Sequence, residues 1–405
     1  ENLEMKKSLV ALAALAATSA FAQSTVSIDG IFDVGYQSIN YKGDNNNVTG
    51  FAGNGSSTSQ INFRGTEDLG GGMKANFRFE SDFNAVSTYA NTGLASSTNT
   101  TAANSINSVA STFGNGEIRV GLEGGFGRFD MGSVNYNSLS TYLLGQPFGT
   151  AIGSGFRTML INDVQATSQV RAENAIKYQT PAFNGLTASL YKSYKQSKAA
   201  NQTPSSTATN GLNPQGNAFS TSVGAYDQQG TQEVGLNYAA GPIAASYSSL
   251  KVDNVGIPTI QSTGAAAGTT ESTVNTLAGK YTMPNGLALS VLNQTNKTNT
   301  SSVNTAATTF SASYTMGKVV LMAQTGSLKA KAGTYNGEKT KLTGLGADYN
   351  LSKRTAVYFR AESIDDKARG MNAAVNPTSL VGAASAAAAT DQKFARTAIG
   401  LRHAF

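Results

Sequence analysis

The chain has 405 residues, a net charge of +6 and an apolar fraction of 40 %, with no cysteine and no tryptophan. Lacking cysteine it is no small disulfide-stapled scaffold, and with His403 as its one histidine it offers no transition-metal cluster. Eighteen apolar residues never run together, so no transmembrane helix is predicted, and the basic residues are spread singly rather than clustered as a nucleic-acid partner requires.

Met5-Lys6-Lys7 is a short basic start. The apolar run Leu9 to Ala17 and the small-residue site Ala20-Phe21-Ala22 follow it. Residues 5–22 therefore read as a secretory signal peptide cut before Gln23, with 1–4 as upstream, non-native residues. The rest, 23–405, reads as one domain.

That domain repeats one unit: strand, tight turn, strand, long polar connection. The first strand is expected over 24–36. Tight turns follow at Asp68-Leu69-Gly70-Gly71-Gly72, Glu123-Gly124-Gly125-Phe126-Gly127 and Pro181-Ala182-Phe183-Asn184-Gly185. Four more fall at Ala240-Gly241-Pro242, Met283-Pro284-Asn285-Gly286, Met316-Gly317-Lys318 and Asn350-Leu351-Ser352-Lys353-Arg354. Glycine, asparagine and proline supply the φ values of tight reversals. The long connections, at 37–58, 84–115, 133–170, 196–231, 253–272, 297–308, 329–339 and 366–393, are rich in Asn, Ser, Thr, Gly and Ala.

The last strand, 394–405, alternates two faces. Thr397, Ile399, Leu401, His403 and Phe405 share one, and Arg396, Ala398, Gly400, Arg402 and Ala404 the other. Seven hairpins and two terminal strands make sixteen. The fold class is therefore all-β, a 16-stranded antiparallel transmembrane β-barrel with short periplasmic turns and long extracellular loops. A large soluble β-sandwich or β-helix is the alternative, and neither needs this alternation of short and long connections.

Several of these segments resemble a known family. The stretch from Gly65 to Ala75 (GTEDLGGGMKA) resembles the second hairpin of the general outer-membrane porins of Gram-negative β-proteobacteria. The stretch from Arg119 to Phe129 (RVGLEGGFGRF) resembles the next hairpin, and RAENAIKY from Arg171 with Pro181-Ala182-Phe183-Asn184-Gly185 the third. The ending at Phe405 fits as well. The resemblance implies a homotrimer in outer-membrane lipid and lipopolysaccharide, each barrel passing small hydrophilic solutes and ions by passive diffusion. It also implies that Phe405 signals to the barrel-assembly machinery. One departure is Gly132-Ser133, where the family often has Gly-Arg.

Barrel strands alternate lipid-facing and lumen-facing residues, so charges can be sorted. Ile61 and Phe63 point out, hence Asn62 and Arg64 in. Phe77 and Phe79 point out, hence Lys74, Arg78, Glu80 and Asp82 in. Ile118, Val120 and Leu122 point out, hence Glu117 and Arg119 in. Arg128 and Asp130 point in between Phe129 and Met131. Val357 and Phe359 point out, hence Arg360 and Glu362 in, and Arg396 and Arg402 face in from the last strand. Closure puts Arg64, Arg78, Arg119, Arg360 and Arg402 in one sector of wall, and fixed positive charge there draws anions. The alternative is a wall neutralised by Glu80, Glu117 and Glu362.

The connection 133–170 is the expected constriction, because in the resembling porins this loop folds into the barrel. Its interior has one arginine, Arg157, and one acid, Asp163, and few acids at a narrow point favour anions. His403 faces outward near the interface and is not expected to be a catalytic base. The glycine runs lack the lysine and helix of a phosphate loop. No cofactor is expected beyond weakly held calcium at acidic loop pairs such as Asp365-Asp366, which as a rule are simply solvated. The sequence thus points to a general diffusion porin, not an enzyme, with anion preference. A substrate-specific channel, or a barrel adhesin, stands as the alternative.

Overall fold

Strict alternation of bulky and polar residues leaves each segment only one way to satisfy both its faces and its backbone: pairing with neighbours in a closed sheet. The computed structural model describes residues 25–42, 48–86, 113–156, 170–194, 230–254, 270–298, 304–332, 336–367 and 392–405. The expected signal peptide, Arg157 and Asp163 lie outside them.

The strands are β1 (Thr25–Lys42), β2 (Val48–Gly53), β3 (Gln60–Gly70), β4 (Met73–Asp82), β5 (Ile118–Gly124), β6 (Gly127–Asn135), β7 (Arg171–Gln179) and β8 (Leu186–Ser193). They continue as β9 (Gly230–Ala240), β10 (Ile243–Asn254), β11 (Thr270–Thr282), β12 (Leu287–Thr298), β13 (Thr305–Met316) and β14 (Val319–Ala330). The last are β15 (Lys339–Asn350), β16 (Thr355–Asp366) and β17 (Gln392–Ala404). Among the described residues one helix, α1 (Asn137–Leu144), follows β6. Neighbours pair antiparallel throughout, and β1 closes the ring on β17 from Ile31↔Ala404 to Lys42↔Lys393.

Both β2 and β3 lie on the same edge of β1, β3 against Thr25–Ile31 and β2 against Val34–Ile39. They are two pieces of one barrel strand, so the ring has sixteen strand positions. The expected connection 37–58 is therefore largely strand. Tyr36 and Phe51 continue the outward alternation and meet edge to face at 5.5 Å. Between the two pieces, 54–59 turns inward. The carboxylate of Asp33 accepts from Ser56 N at 2.7 Å and from Ser57 N at 2.5 Å, and Asp33 also takes the Tyr358 hydroxyl. Several other strands run a few residues into the expected connections, as β13 does by starting at Thr305.

All seven tight turns fall where glycine, asparagine and proline place them. At the first, Gly70, Gly71 and Gly72 have φ of 79°, 61° and 78°, a left-handed run that side chains with a Cβ resist. Outward residues such as Val26, Ile28, Leu277, Phe310, Leu345 and Ile399 form an exposed apolar belt. Tyr238, Tyr281, Tyr314 and Tyr349 ring the tight-turn end, as aromatic residues do at a membrane interface. The interior face carries Gln324, Thr340, Arg360 and Glu362, all buried.

Candidate functional site

Register brings three of the expected arginines side by side. Arg64 pairs with Arg78, and Arg78 with Arg119, so β3, β4 and β5 present one transverse row of guanidinium groups to the interior. Gly132 takes the next place, so the row ends at β5. Carboxylates hold the row in position. Arg64 pairs with Asp29 at 2.8 Å, and Arg78 with Glu80 at 2.6 Å and Glu117 at 2.8 Å. Arg119 lies 2.9 Å from Asp130 and 3.4 Å from Glu117, and Arg128 lies 2.8 Å from Asp130. Asn62 and Asn76 accept further bonds from Arg78 and from Arg119 and Arg128.

On the far side of the closure Arg360 pairs with Asp348 at 2.7 Å and donates to Ser56 Oγ at 2.8 Å. Glu362 binds Arg396 at 2.9 Å rather than Arg360. Arg402 stands opposite Asp33 and Ala356 and makes no ion pair among the described residues. The strands concerned, β16, β17, β1, β3, β4 and β5, are successive neighbours, so these groups share one sector of wall.

The expected surplus of arginine is smaller than the sequence suggested, because Asp29 and Asp348 add carboxylates to the same wall and Asp130, expected to face inward, pairs with Arg119 and Arg128. Exposure nevertheless differs between partners. The side chains of Glu80, Glu117 and Asp130 are each 9 % exposed and lie beneath arginines exposed by 14–33 %, while Arg64 and its partner Asp29 are both well exposed. The Arg360–Asp348 pair reverses this order, and in the longer Arg128–Glu123 pair the carboxylate is also slightly the more exposed. Along the row of β3, β4 and β5 an ion thus meets guanidinium before carboxylate.

The other half of the interior is lined by the segment 136–156. Tyr136 is fully buried, donates to Thr231 Oγ1 at 3.1 Å and packs against Tyr191. Helix α1 has no side-chain cap of its own. Instead Glu233 of β9 accepts from Asn137 N at 2.5 Å and Ser138 N at 2.7 Å. A carboxylate at a helix N-terminus satisfies free N–H groups and complements the helix dipole. Thr141 meets Ser246 of β10, Gly145 packs on Leu292 of β12, and Ser311 of β13 donates to Gly145 O at 3.1 Å. Gln324 of β14 reaches Ser154 O at 3.3 Å. At the far end Glu362 of β16 accepts from Gly153 N at 2.9 Å and Gly155 N at 3.3 Å.

One segment thus touches the same face of β9, β10, β12, β13, β14 and β16, opposite the apolar belt. In a closed ring that face is the inside. Among its described residues the segment carries no charged side chain. Burial raises the phenols of Tyr136 and Tyr142 well above their ordinary range, so both remain donors at neutral pH. The segment also lies directly on β15: a Cβ on Gly344 would strike the Gly153 carbonyl. Gly344→Val should therefore push it off the wall and destabilise the barrel by about 1–3 kcal/mol, read as a lower denaturant midpoint.

Glu233 and Asp33 escaped the sequence reading, although inward parity in their strands would have found them. His403 is exposed, bonds Thr355 Oγ1 at 2.9 Å and stands opposite outward Phe32. Asp365 faces Lys341 and Lys393 in register. Phe405 closes the ring: its N donates to Gly30 O at 3.0 Å and its O accepts from Gly30 N at 3.2 Å.

A closed barrel with an apolar outer belt, a charged inner wall and an internal polar segment defines a membrane channel. The family model described as Gram-negative porin matches residues 8–369, and the chain belongs to that family. It is an outer-membrane general diffusion porin. It is 28 % identical over 416 residues to outer membrane porin protein 32 of Delftia acidovorans, covering 99 % of this chain and 100 % of the relative. Its fold is similar to that of an anion-selective porin from Comamonas acidovorans, with a TM-score of 0.67 and 22 % identity over 95 % of this chain and 100 % of the other. It is also similar to the outer membrane protein OmpT of Vibrio cholerae in a trimer form, with a TM-score of 0.60 and 14 % identity over 94 % and 99 %.

Proposed function

We propose that this porin prefers anions and works as a homotrimer, with the segment 136–156 as the constriction. The arginine row of β3, β4 and β5, facing a segment without charge, carries the reading. Its guanidinium groups are the more exposed members of their ion pairs, so they dominate the potential an entering ion feels. The similar porin described as anion-selective and the trimer form of the Vibrio cholerae protein support the two parts. Phe405, bonded to Gly30 across the closure, is proposed to serve barrel assembly.

Single-channel conductance in different salts tests the preference. Replacing chloride by slower acetate should lower conductance strongly, while replacing potassium by lithium should change it little. The opposite ranking would mean that cations carry the current. Current steps in groups of three, with a heat-dissociable band of three chains on gels, are expected of the trimer. Single steps from a monomeric band would reject it.

A further inference from the structure

Asp33 is an inward-facing acid that the lumen does not reach. It is fully buried, and it makes no ion pair among the described residues although half-buried Arg402 of β17 stands opposite it in register. Its carboxylate takes neutral donors instead. The Tyr358 hydroxyl donates to one oxygen at 2.5 Å, and Ser56 N and Ser57 N donate to the other. A buried carboxylate persists only where such bonds replace water.

Tyr358 reaches Asp33 through a slot that glycines leave open. Tyr358 of β16, Gly400 of β17 and Gly35 of β1 stand side by side in register. A Cβ on either glycine would strike the Tyr358 hydroxyl, and one on Gly55 of the turn 54–59 would strike the ring. Arg360 lies over the same ring at 5.4 Å and donates to Ser56 Oγ at 2.8 Å. Tyr358 also packs with Ile152 and Ala398 in one buried cluster. The turn thus lies against the inner faces of β1 and β16, and it meets the end of the segment 136–156 at this one side chain.

The place matters for ions. Along β1 the inward face carries Asp29, the partner of Arg64, and then Asp33. Fixed wall charge decides which ion a pore admits, so a second open carboxylate here would offset the arginine row. It would also be free to pair with Arg402, whose charge now has no acid beside it among the described residues.

We propose that the turn 54–59 and Tyr358 mask the Asp33 carboxylate from the lumen and hold it away from Arg402, which makes Tyr358 a positioning residue for ion preference. The proposal rests on the anion preference argued above and adds to the internal segment a second element that shapes the passage.

Tyr358→Phe keeps the ring against Ile152 and Ala398 and removes the donor to Asp33. The refolded full-length protein is read as a zero-current potential under a KCl gradient in about 0.1 M salt, where wall charge is least screened. The anion-to-cation permeability ratio should fall at least about twofold, the effect of one wall charge uncovered. Asp33→Asn alone should not lower the ratio, and Asp33→Asn added to Tyr358→Phe should restore it. A merely structural role would lower the ratio alike with or without the Asp33 charge. Release of the turn is read separately by Thr58→Cys, since the chain has no cysteine of its own. A water-soluble thiol reagent should label that site about tenfold faster in Tyr358→Phe, the shift expected on losing one hydrogen bond to a charged group.

Faster labelling with an unchanged ratio, or a ratio that stays low when Asp33→Asn is added, would overturn the proposal. So would unchanged labelling, because the hydroxyl would then not hold the turn. If Tyr358→Phe fails to fold, Gly55→Ala, whose Cβ meets the ring from the side of the turn, carries the same comparison. A wild-type potential of the potassium sign would refute the anion preference instead, and the difference that Asp33→Asn makes to Tyr358→Phe would still decide the mask.

Discussion

Glu233→Ala should loosen the internal segment and cost the barrel about 1–3 kcal/mol, the range for leaving buried donors without their acceptor. The carboxylate of Glu233 caps α1, and its loss removes the acceptor that the Asn137 and Ser138 N–H groups share. It also removes the acid that interacts with Lys177, which donates to Asn135 O at 2.9 Å inside the same wall. The refolded variant should show a lower denaturant midpoint and a noisier, larger open-channel current, as the segment leaves β9. Glu233→Gln should lose less, because its one amide oxygen still accepts a bond. Glu362→Ala should free the opposite end, at Gly153 and Gly155, and leave Arg396 unpaired. Wild-type midpoint and quiet current in Glu233→Ala would mean that the carboxylate does not anchor the segment.

Reversing charge in the arginine row should move ion preference, and Arg64 is the position at which to do it. Its side chain is 45 % exposed, so Arg64→Glu should fold. Two units of charge change at the wall, beside Asp29. One unit charge acts on an ion about 7 Å away in water with about 0.6 kcal/mol, of opposite sign for chloride and potassium. The anion-to-cation permeability ratio should therefore fall severalfold at 0.1 M salt and by much less at 1 M, where the Debye length is about 3 Å. Arg78→Gln should shift the ratio the same way but also destabilise, because Glu80 and Glu117 lose their shared partner. A ratio unchanged at both salt concentrations would mean that current passes beyond reach of the row.

The sequence made the barrel legible because its signals are local. Gly70-Gly71-Gly72, Asn285-Gly286 and Gly317 fix the turns by backbone conformation, and period-2 alternation sorts Arg78 from Phe77 without any tertiary knowledge. What stayed hidden depends on register. That Arg64, Arg78 and Arg119 fall in one row, and that Asp29 and Asp348 sit against arginines, follows from which residues face one another across strands. Composition does not specify this. The two-piece second strand was missed because Gly53-Asn54-Gly55-Ser56 reads as loop, whereas Asp33 gathers the N–H groups of Ser56 and Ser57 inside the barrel. The path of 136–156 has no periodic signal at all. Small and polar residues such as Gly145, Gly153 and Ser154 are chosen there by close contact with the run of strands from β9 to β16, and Glu233, which holds its start, lies 96 residues from Asn137.

Ion preference is read most directly as the zero-current potential of the refolded protein in a planar bilayer under a tenfold KCl gradient. The arginine wall and the uncharged internal segment predict a potential of the sign set by chloride, shrinking toward zero as both solutions are made more concentrated at the same ratio. A potential of the potassium sign would show that the buried carboxylates, and not the guanidinium groups above them, govern the passage of ions.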